Sequence, residues 1–450
     1  MSPFSLPLAL AVAVALTAPA DARCVDEQTA PETSSAAAEP GVAAAPDPRA
    51  TLQLLVRDAL ARSHQVGAAQ LLAEAAIDDV SETRAGGAVQ ASMGLGVGSD
   101  ATQSSLVGNE HSALQVRASI SVSKLLYDGG RLDRLVDWRG QLSESARYGH
   151  LSTREQLALQ TVSLALERSR FRQHAVVYSQ YVRKMGCLVE ALDGIVRTDR
   201  GRASELVQAR KSLQQAELSQ AQAQSQARQV EVRLRRLVGD GLPSNNGLAS
   251  VLLAVPELDG LVADVERSAE IGALTAQAAA AGHYARAVAA AGKPQLSWNV
   301  GGSQAVGAGG SRGSTHNGAL SVGVTVNIPL LNPGLESAGS AAGKRARAAD
   351  LQRAETLEAR RFRVAEVHEQ TLSSFDRARR LGGVLRDSDQ VRNFTLQQWQ
   401  QLGKRSLFDV MSAEGEHYNL RVTYINALHD GQQLNANLLS LGHGVGEWLR

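Results

Sequence analysis

GALSVGVTVNIPLLNPG, residues 318–334, joins two kinds of local structure in one short stretch. Apolar and small polar residues alternate through its first half, so an extended chain presents one kind of side chain on each face. The apolar set is Leu320, Val322, Val324, Val326 and Ile328. The second half ends in Asn-Pro-Gly, three residues that favour turns. The stretch therefore predicts a β-strand that gives way abruptly to a different element.

The chain contains this succession twice. LYDGG at 126–130 aligns with LLNPG at 330–334 at an offset of 204. RSHQVGA at 62–68 aligns with RSAEIGA at 267–273 at an offset of 205. Matches that recur at a nearly fixed offset indicate a duplicated architecture. We therefore predict that the chain consists of two copies of one unit.

The predicted copies span residues 51–255 and 256–450, and each contains a helix, a β-hairpin and two very long helices. In the first copy the helices are predicted at 51–84, about 131–198 and about 203–238, and the strands at about 88–98 and 114–124. In the second copy the helices are predicted at 257–291, about 335–399 and about 406–441, and the strands at about 295–305 and 319–329. At a rise of 1.5 Å per residue, a helix of some 65 residues extends about 100 Å, which exceeds an ordinary globular domain.

The N-terminal region is predicted to lie outside these copies. Residues 1–22 have the apolar run and small residues of a secretory signal peptide, although no Lys or Arg precedes Phe4. Residues 23–50 are rich in Ala, Pro and Glu, so a flexible linker is expected. The segment before Cys24 lacks the small and aliphatic residues of a lipoprotein signal, so we expect no lipid anchor.

Strict alternation over about ten residues is typical of a transmembrane β-strand, with lipid on one face and water on the other. The strands predicted at 114–124 and 295–305 show it as well. Their apolar positions are Val116, Ala118, Ile120, Val122, Leu296, Trp298 and Val300. A half-buried soluble sheet has the same pattern. The membrane interpretation is favoured because the hairpins recur at equivalent places and the long helices are too polar to cover them.

A membrane-spanning sheet closes on itself, because an open edge leaves backbone groups unsatisfied in hydrocarbon. Four strands are fewer than the roughly eight that a barrel needs. Identical subunits are therefore expected to share one barrel, a dimer supplying eight strands and a trimer twelve. Gly, Ser and Asn on the second face are small, which favours an open pore.

The long helices carry a narrow, Ala-rich apolar stripe, as in SELVQARKSLQQAELSQAQAQSQARQVEVRLRRLVG at 204–239. Small residues let helices approach closely over many turns, as in coiled-coil packing. A fibrous coiled coil is the alternative, but such a rod has no use for a lipid-facing hairpin.

LGKRSLFDVMSAEGEHYNLRVTYINALHDGQQLNANLLSLGHG at 402–444 resembles the TolC-like outer-membrane factor family. LLYDGGR, IPLLNPG and the weaker GRASELVQAR at 201–210 support the resemblance, which covers about residues 51–450. It implies an α+β membrane channel, a trimer whose twelve-stranded β-barrel in the outer membrane is continuous with a periplasmic α-helical barrel. It also implies two partners, a periplasmic adaptor (membrane fusion) protein and an inner-membrane ABC or proton-driven transporter.

The resemblance also implies roles at the periplasmic tip, which is held shut in this family by links between helices. Arg405 matches the basic linking position, Ser204 and Glu205 match the positions that face it, and Asp409 matches an acidic entrance residue. Ser412 stands where a second acid is expected. Alternatively, Arg405 and Asp409 form a solvated i, i+4 pair on one helix.

Two further groups of residues are assigned to turns. The turns between the long helices, which would dock the adaptor, are Gly201, Arg202, Gly403 and Lys404. The strand-to-helix hinges are Asp128, Gly129, Gly130, Pro333 and Gly334. Glycine permits the sharp change of direction, and Asp128 is placed to cap a first helical turn.

No motif for catalysis, for a cofactor or for a metal is apparent. Gly292-Lys293 runs into Pro294 instead of forming a phosphate-binding loop, and the ten His residues are scattered. The net charge of +1 gives no reason to expect nucleic acid. We therefore predict a passive, non-enzymatic conduit.

The predicted function is the outer-membrane component of a tripartite export system. The Asp-Gly-Gly hinge and the expected absence of an acyl anchor favour type I protein secretion. A small-molecule or multidrug efflux duct is the alternative. A periplasmic adaptor or a structural coiled-coil protein is a remoter one, since an adaptor has a single helical hairpin.

Overall fold

The computed structural model of the chain describes residues 47–103, 110–243, 247–308, 315–402 and 404–450. The predicted signal peptide, Cys24 and the predicted linker up to residue 46 lie outside the described residues. The first helix begins at Pro48, inside the range predicted as linker. Asp47 starts it, since its carboxylate accepts a hydrogen bond from the Arg49 backbone N–H (3.0 Å) and proline suits the first helical position.

Both copies have the predicted order of elements. The first copy contains α1 (Pro48–Arg62), α2 (His64–Ala85), β1 (Gln90–Gln103), β2 (Glu110–Tyr127), α3 (Arg131–Thr198) and α4 (Ala203–Val238). The second contains α5 (Leu258–Val265), α6 (Ala269–Ala290), β3 (Gln295–Ala308), β4 (Thr315–Asn327), α7 (Pro333–Leu402), α8 (Leu407–Leu441) and the short α9 (Val445–Trp448). The four long helices begin and end within three residues of their predicted bounds.

Each copy opens with two helices where one was predicted. The predicted helix 51–84 breaks at Ser63, whose extended backbone (φ −76°, ψ 112°) leaves its hydroxyl to accept a hydrogen bond from the Val66 N–H (3.2 Å). The predicted helix 257–291 breaks before α6, with Ser268 at the N-cap position. The Ser63 hydroxyl satisfies a free N–H group at a helix start, which favours a cap over a helix interior. The Ser268 hydroxyl makes no capping hydrogen bond.

The four strands form one antiparallel sheet in the order β1-β2-β3-β4. β2 of the first copy pairs with β3 of the second, with Val122 opposite Val300. β1 and β4 are therefore the two edge strands. The strands extend beyond their predicted bounds at several ends, because hairpin pairing continues into the polar segments next to the loops.

The chain forms two compact units. The sheet unit contains Asp47–Glu167, Glu231–Asp376 and Leu428–Arg450. Among the described residues, the helical unit contains Arg168–Val230 and Arg377–Ala427. Each unit takes segments from both copies, so the division into units does not follow the duplication.

Aliphatic side chains from several helices form the core of the sheet unit. One cluster joins α1, α3, α4 and α8 through Leu52, Val162, Leu166, Leu234 and Leu439. A second joins α5, α6, α7 and α8 through Leu261, Val265, Ile271, Val364 and Leu438. Helices of both copies thus share one apolar interior.

Two buried amides on α8 fix the segment that connects the copies. The Gln432 side chain donates hydrogen bonds to the carbonyls of Leu248, Ala249 and Val251 at 2.7–3.1 Å. Asn435 donates to the carbonyls of Leu252 (2.7 Å) and Ala254 (2.8 Å). These bonds satisfy carbonyl groups of a segment without regular pairing, which includes Leu252 at a positive φ of 58°.

The helical unit has its own core at the ends of its long helices. Met185, Leu192, Leu206, Leu407 and Val410 are buried together, from α3, α4 and α8. In the described part of the chain, no helix is both long enough and apolar enough to cross a membrane.

Candidate functional site

The pairing of the sheet places the predicted apolar positions of β2, β3 and β4 on one face, together with apolar residues of β1. Ala91 lies opposite Val122, Val122 opposite Val300, and Val300 opposite Val322. Neighbouring rows add Met93, Leu95, Val97, Val116, Ile120, Leu320, Val324 and Val326. In the single chain this face is uncovered, since Leu320 is 82% exposed and Leu95 75%. A contiguous apolar surface of this kind marks a contact with lipid or protein.

The opposite face of the sheet carries small and polar side chains. Ser92 lies opposite Ser121, with their hydroxyl oxygens 2.7 Å apart. Ser321 donates a hydrogen bond to the carbonyl of Gly301 (3.3 Å). The two faces therefore differ sharply in polarity, as the alternation predicts.

The outer sides of β1 and β4 lack strand partners within the described residues. An unpaired edge is a template for pairing with another chain, and it is costly in an apolar medium. A single chain therefore presents an incomplete sheet.

The first strand-to-helix passage is a tight turn at Asp128-Gly129-Gly130. The Asp128 carboxylate accepts hydrogen bonds from the backbone N–H groups of Gly130 (3.0 Å) and Leu132. Gly129 and Gly130 have φ of 69° and 81°, a region that side chains disfavour. A Cβ at Gly129 would also lie 2.5–2.6 Å from carbons of Lys293, whose ammonium group donates to the Gly129 carbonyl.

The second passage, at Pro333 and Gly334, uses a different geometry. α7 begins at Pro333, and the backbone carbonyl of Asn332 accepts a hydrogen bond from the Leu335 N–H (3.0 Å). Gly334 does not share the positive φ of the first passage. The two aligned stretches hold the same place in the fold, but one turns through glycines and the other through an N1 proline.

At each of the two passages, a glycine before the first strand of the hairpin lies close to a leucine at the start of the following long helix, which the sequence did not predict. A Cβ at Gly87 would lie 2.6 Å from a methyl carbon of Leu132, and a Cβ at Gly292 would lie 2.9 Å from one of Leu335. Gly87 and Gly292 align at an offset of 205. That alignment was the available signal, but only the fold shows that both glycines admit the first leucine of a long helix.

At the first turn of the helical unit, Asp199 organises the predicted docking residues. Its carboxylate accepts a hydrogen bond from the Gly201 N–H (3.0 Å) and lies 3.7 Å from the Arg202 guanidinium. Ser204 is exposed in the first turn of α4, and Glu205 next to it is half-buried. One Glu205 carboxylate oxygen is buried without a hydrogen-bond partner among the described residues.

At the second turn, Asp409 forms a reciprocal capping box with Ser406. The Asp409 carboxylate accepts from the Ser406 N–H (3.1 Å), and the Ser406 hydroxyl accepts from the Asp409 N–H (3.2 Å). Arg405 donates to the Gln398 side-chain oxygen (3.2 Å), and Lys404 donates through its backbone N–H to the Gln398 carbonyl. Gly403 lies outside the described residues.

The structure brings the two turns together through their apolar neighbours. Leu206, which follows Glu205, and Leu407, which precedes Asp409 by two positions, belong to the same buried cluster. The hydrogen-bond partners of Arg405 and Asp409 are Gln398 and Ser406, not each other. The alternative of an i, i+4 pair therefore does not describe this conformation.

A buried ionic cluster near these turns was not predicted. Glu414 on α8 is fully buried, 3.6 Å from the Lys184 ammonium of α3 and 3.5 Å from the Arg392 guanidinium of α7. Arg392 also pairs with Asp389 at 2.7 Å. Burial, and next the Glu414 charge, raise the pKa of Tyr181 above its ordinary value. The cluster joins three helices that lie far apart in sequence.

The helical unit also contains a buried histidine, His174. Burial and the nearby positive charge of Arg170 lower the pKa of His174 to about 4, against the opposing effect of a hydrogen bond with Asn426. An imidazole with this pKa is neutral near pH 7.

Solved channel structures have the same architecture. The chain matches CusC with a TM-score of 0.77 at 18% identity, over 88% of this chain and 92% of that chain. It matches VceC of Vibrio cholerae with a TM-score of 0.74 at 18% identity, over 88% and 96%. The chain has the TolC-like fold of outer-membrane channels.

The TolC-like fold is also that of the open-state MtrE outer membrane channel of Neisseria gonorrhoeae. This match has a TM-score of 0.70 at 17% identity and covers 88% of this chain and 89% of that chain. No family model and no curated protein sequence matches the chain. The TolC-like fold is thus recognised here through the course of the backbone.

Proposed function

We propose that this protein is the outer-membrane channel of a tripartite export system. The observation that carries the proposal is the two-faced sheet with open edges. Its apolar face suits lipid, its small polar face suits water, and its edges need further strands. The matches to solved outer-membrane channels support the same assignment.

Three copies of the chain would supply twelve strands and close one barrel in the outer membrane. Twelve strands leave a lumen wider than the side chains fill, whereas eight strands form a nearly filled barrel. Gly94, Gly96, Gly98 and Gly301 lie on the lumen side and keep it open. The long helices of the three copies would enclose the periplasmic part of the passage.

The channel is proposed to act passively, with a periplasmic adaptor and an inner-membrane transporter as partners. The transporter supplies the energy, and the channel itself performs no catalysis. The exposed turns at Gly201, Arg202 and Lys404, together with Gly403, are the proposed docking positions for the adaptor. Their basic residues suit an adaptor helix with acidic side chains.

The cargo is proposed to be a polypeptide of type I secretion, with small-molecule efflux as the second candidate. The expected absence of an acyl anchor supports the first candidate. The Asp128 hinge does not separate the two, because it is a local cap and turn that either cargo could pass. Partners captured by cross-linking in cells separate the two. A secretion-type ATPase would support the polypeptide, and a proton-driven pump would support small molecules.

Membrane fractionation and planar-bilayer recording test the channel itself. We expect the mature protein in the outer-membrane fraction, and we expect the purified oligomer to give discrete conductance steps. A soluble or inner-membrane protein that gives no steps would contradict the proposal.

We further propose that Arg405, Asp409, Ser204 and Glu205 belong to a gate at the periplasmic tip. Asp409→Gln tests this, because glutamine also completes a capping box and so removes the charge without removing the cap. The conductance or ion selectivity of a single channel should change. Asp199→Asn is the control, since asparagine caps a helix equally well and Asp199 itself is not assigned to the gate. If the two variants change the conductance or selectivity equally, the change is due to the overall charge of the periplasmic tip and not to the gate residues.

A further inference from the structure

The small polar face of the sheet carries a single charged residue among those whose side chains the structure describes. Strand pairing places Arg117 of β2 between Gly96 of β1 and Ala305 of β3. The other positions on this face whose side chains are described are Gly, Ser, Ala, Thr, Asn, Gln and, at the end of β2, Leu125. Nearer the loop between β1 and β2, the register also places Asp100 and His111 on this face. We propose that Arg117 makes the pore select for anions, an inference that rests on the proposed channel function.

The surroundings of Arg117 leave its guanidinium group open to the lumen. Arg117 is exposed, and both residues opposite it in the sheet are small. A Cβ added at Gly96 would meet no atom within 4 Å. No side chain of the neighbouring strands therefore covers the guanidinium group, and an ion that passes along this face can approach it directly.

The nearest acidic residue that the strand register places on this face is Asp100, four residues along β1 from Gly96, or about 13 Å at the rise of a strand. That separation exceeds the Debye length of about 10 Å at 0.1 M salt. The hydrogen-bond partner of Arg117 is the side-chain oxygen of Gln115, at 3.3 Å, which is a neutral amide. Arginine stays protonated at any pH that the protein experiences. Arg117 therefore contributes a full positive charge to the face.

Repetition around a shared barrel would turn one residue into a ring. Each copy supplies one Arg117 at the same level, and rings of basic side chains favour anions in pores. The Debye length is about 10 Å at 0.1 M salt and about 3 Å at 1 M, so the ring acts across the lumen only at low salt. Apolar barrel walls focus the field along the lumen.

The test is the reversal potential of single channels in a KCl gradient near 0.1 M. Arg117→Gln should lower the ratio of chloride to potassium permeability on the order of twofold or more, from the screened Coulomb energy of a few charges. Arg117→Glu should lower it further, and Arg117→Lys should retain it. The differences should shrink at 1 M salt.

Two variants make the result specific. Lys124→Gln removes the same charge from the same strand, but Lys124 shares the apolar face with Val122, so its loss should leave selectivity unchanged. Gly96→Asp places a carboxylate beside Arg117 in open space and should reproduce the effect of Arg117→Gln while Arg117 remains. Oligomers on gels confirm that each variant assembles.

A conducting channel whose Arg117→Glu variant keeps the wild-type reversal potential at low salt would overturn this inference alone. A wild-type oligomer that gives no conductance would overturn the channel function and this inference with it. A shift of equal size in Lys124→Gln would also count against Arg117, because charge on the lipid side should have no access to the ions.

Discussion

At the residue scale, the two adjacent glycines of the first passage are not equivalent. Both have a positive φ, but only Gly129 also lies against the Lys293 side chain. Glycine suits both positions because other residues pay a backbone penalty there of about 1–2 kcal/mol. The contact with Lys293 adds a steric requirement that the sequence pattern does not reveal.

We expect Gly129→Ala to destabilise the protein more than Gly130→Ala. Gly130→Ala meets only the backbone penalty, since no atom lies within 4 Å of its added Cβ. Gly129→Ala must in addition displace the Lys293 chain and its hydrogen bond to the Gly129 carbonyl. Thermal unfolding in detergent, followed by circular dichroism, measures the difference.

Gly334→Ala is the matched control at the second passage. Its φ is ordinary, and its added Cβ would lie 3.4 Å from the Asn332 side-chain oxygen, close to van der Waals contact. Its unfolding temperature should fall least of the three. Equal losses for Gly129→Ala and Gly130→Ala would contradict the role of Lys293.

At the element scale, helix ends and helix contacts differ in how far the sequence predicts them. The ends of the long helices were predicted within three residues, because caps and turns depend on a few neighbouring residues. The breaks at Ser63 and Ser268 were missed, because a single serine inside a periodic pattern is a weak local signal. The ionic cluster at Glu414 was missed for a different reason, since its members come from three helices.

Glu414→Gln should strongly destabilise the helical unit. The substitution removes the buried negative charge that faces Lys184 and Arg392, and breaking a buried pair costs about 3–5 kcal/mol. Denaturant unfolding in detergent gives the change in midpoint.

The control for this prediction is Asp389→Asn. Asp389 pairs with the same Arg392, but its side chain is 40% exposed, and exposed pairs contribute about 0–1 kcal/mol. If both variants unfold at the same denaturant concentration, the buried cluster does not stabilise the packing of α3, α7 and α8.

At the scale of the whole molecule, the internal duplication predicts how separate copies pair. Gln90 and Gln295 occupy equivalent positions in the two copies, at an offset of 205. Gln90 lies opposite Ser123, and Gln295 lies opposite Asn327, so Ser123 and Asn327 are equivalent as well. Ser123 pairs with Asn299 where the two halves of the sheet meet. If copies join as the halves join, β4 of one copy pairs with β1 of the next in the same register.

This register places Asn327 opposite Gly94 of the neighbouring copy, and Thr325 opposite Gly96. Val324 then falls opposite Val97, so the apolar and polar faces remain continuous across the joint. A shift of one residue would bring polar side chains into the lipid-facing layer.

Disulfide cross-linking tests the register. With Cys24 and Cys187 replaced by serine, Thr325→Cys combined with Gly96→Cys should give covalent dimers and trimers on oxidation, since directly opposed strand residues lie within disulfide reach. Thr325→Cys combined with Val97→Cys is the control, because its two thiols point to opposite faces. Linkage in the control pair but not in the first pair would refute the register.

The sequence by itself determined the strands and the long helices: alternation predicted the strands and their two faces, and turn and cap residues predicted the ends of the long helices. These features depend on residues that are close together in the chain. A repeat of two residues in strands or 3.6 residues in helices can be recognised from the sequence alone. Only the tertiary structure decided the contact of Gly129 with Lys293, the burial of Glu414 between two cations and the position of Arg117 between Gly96 and Ala305 on the polar face. Each of these features depends on contacts between segments that are far apart in the sequence, and neither composition nor periodicity predicts such contacts.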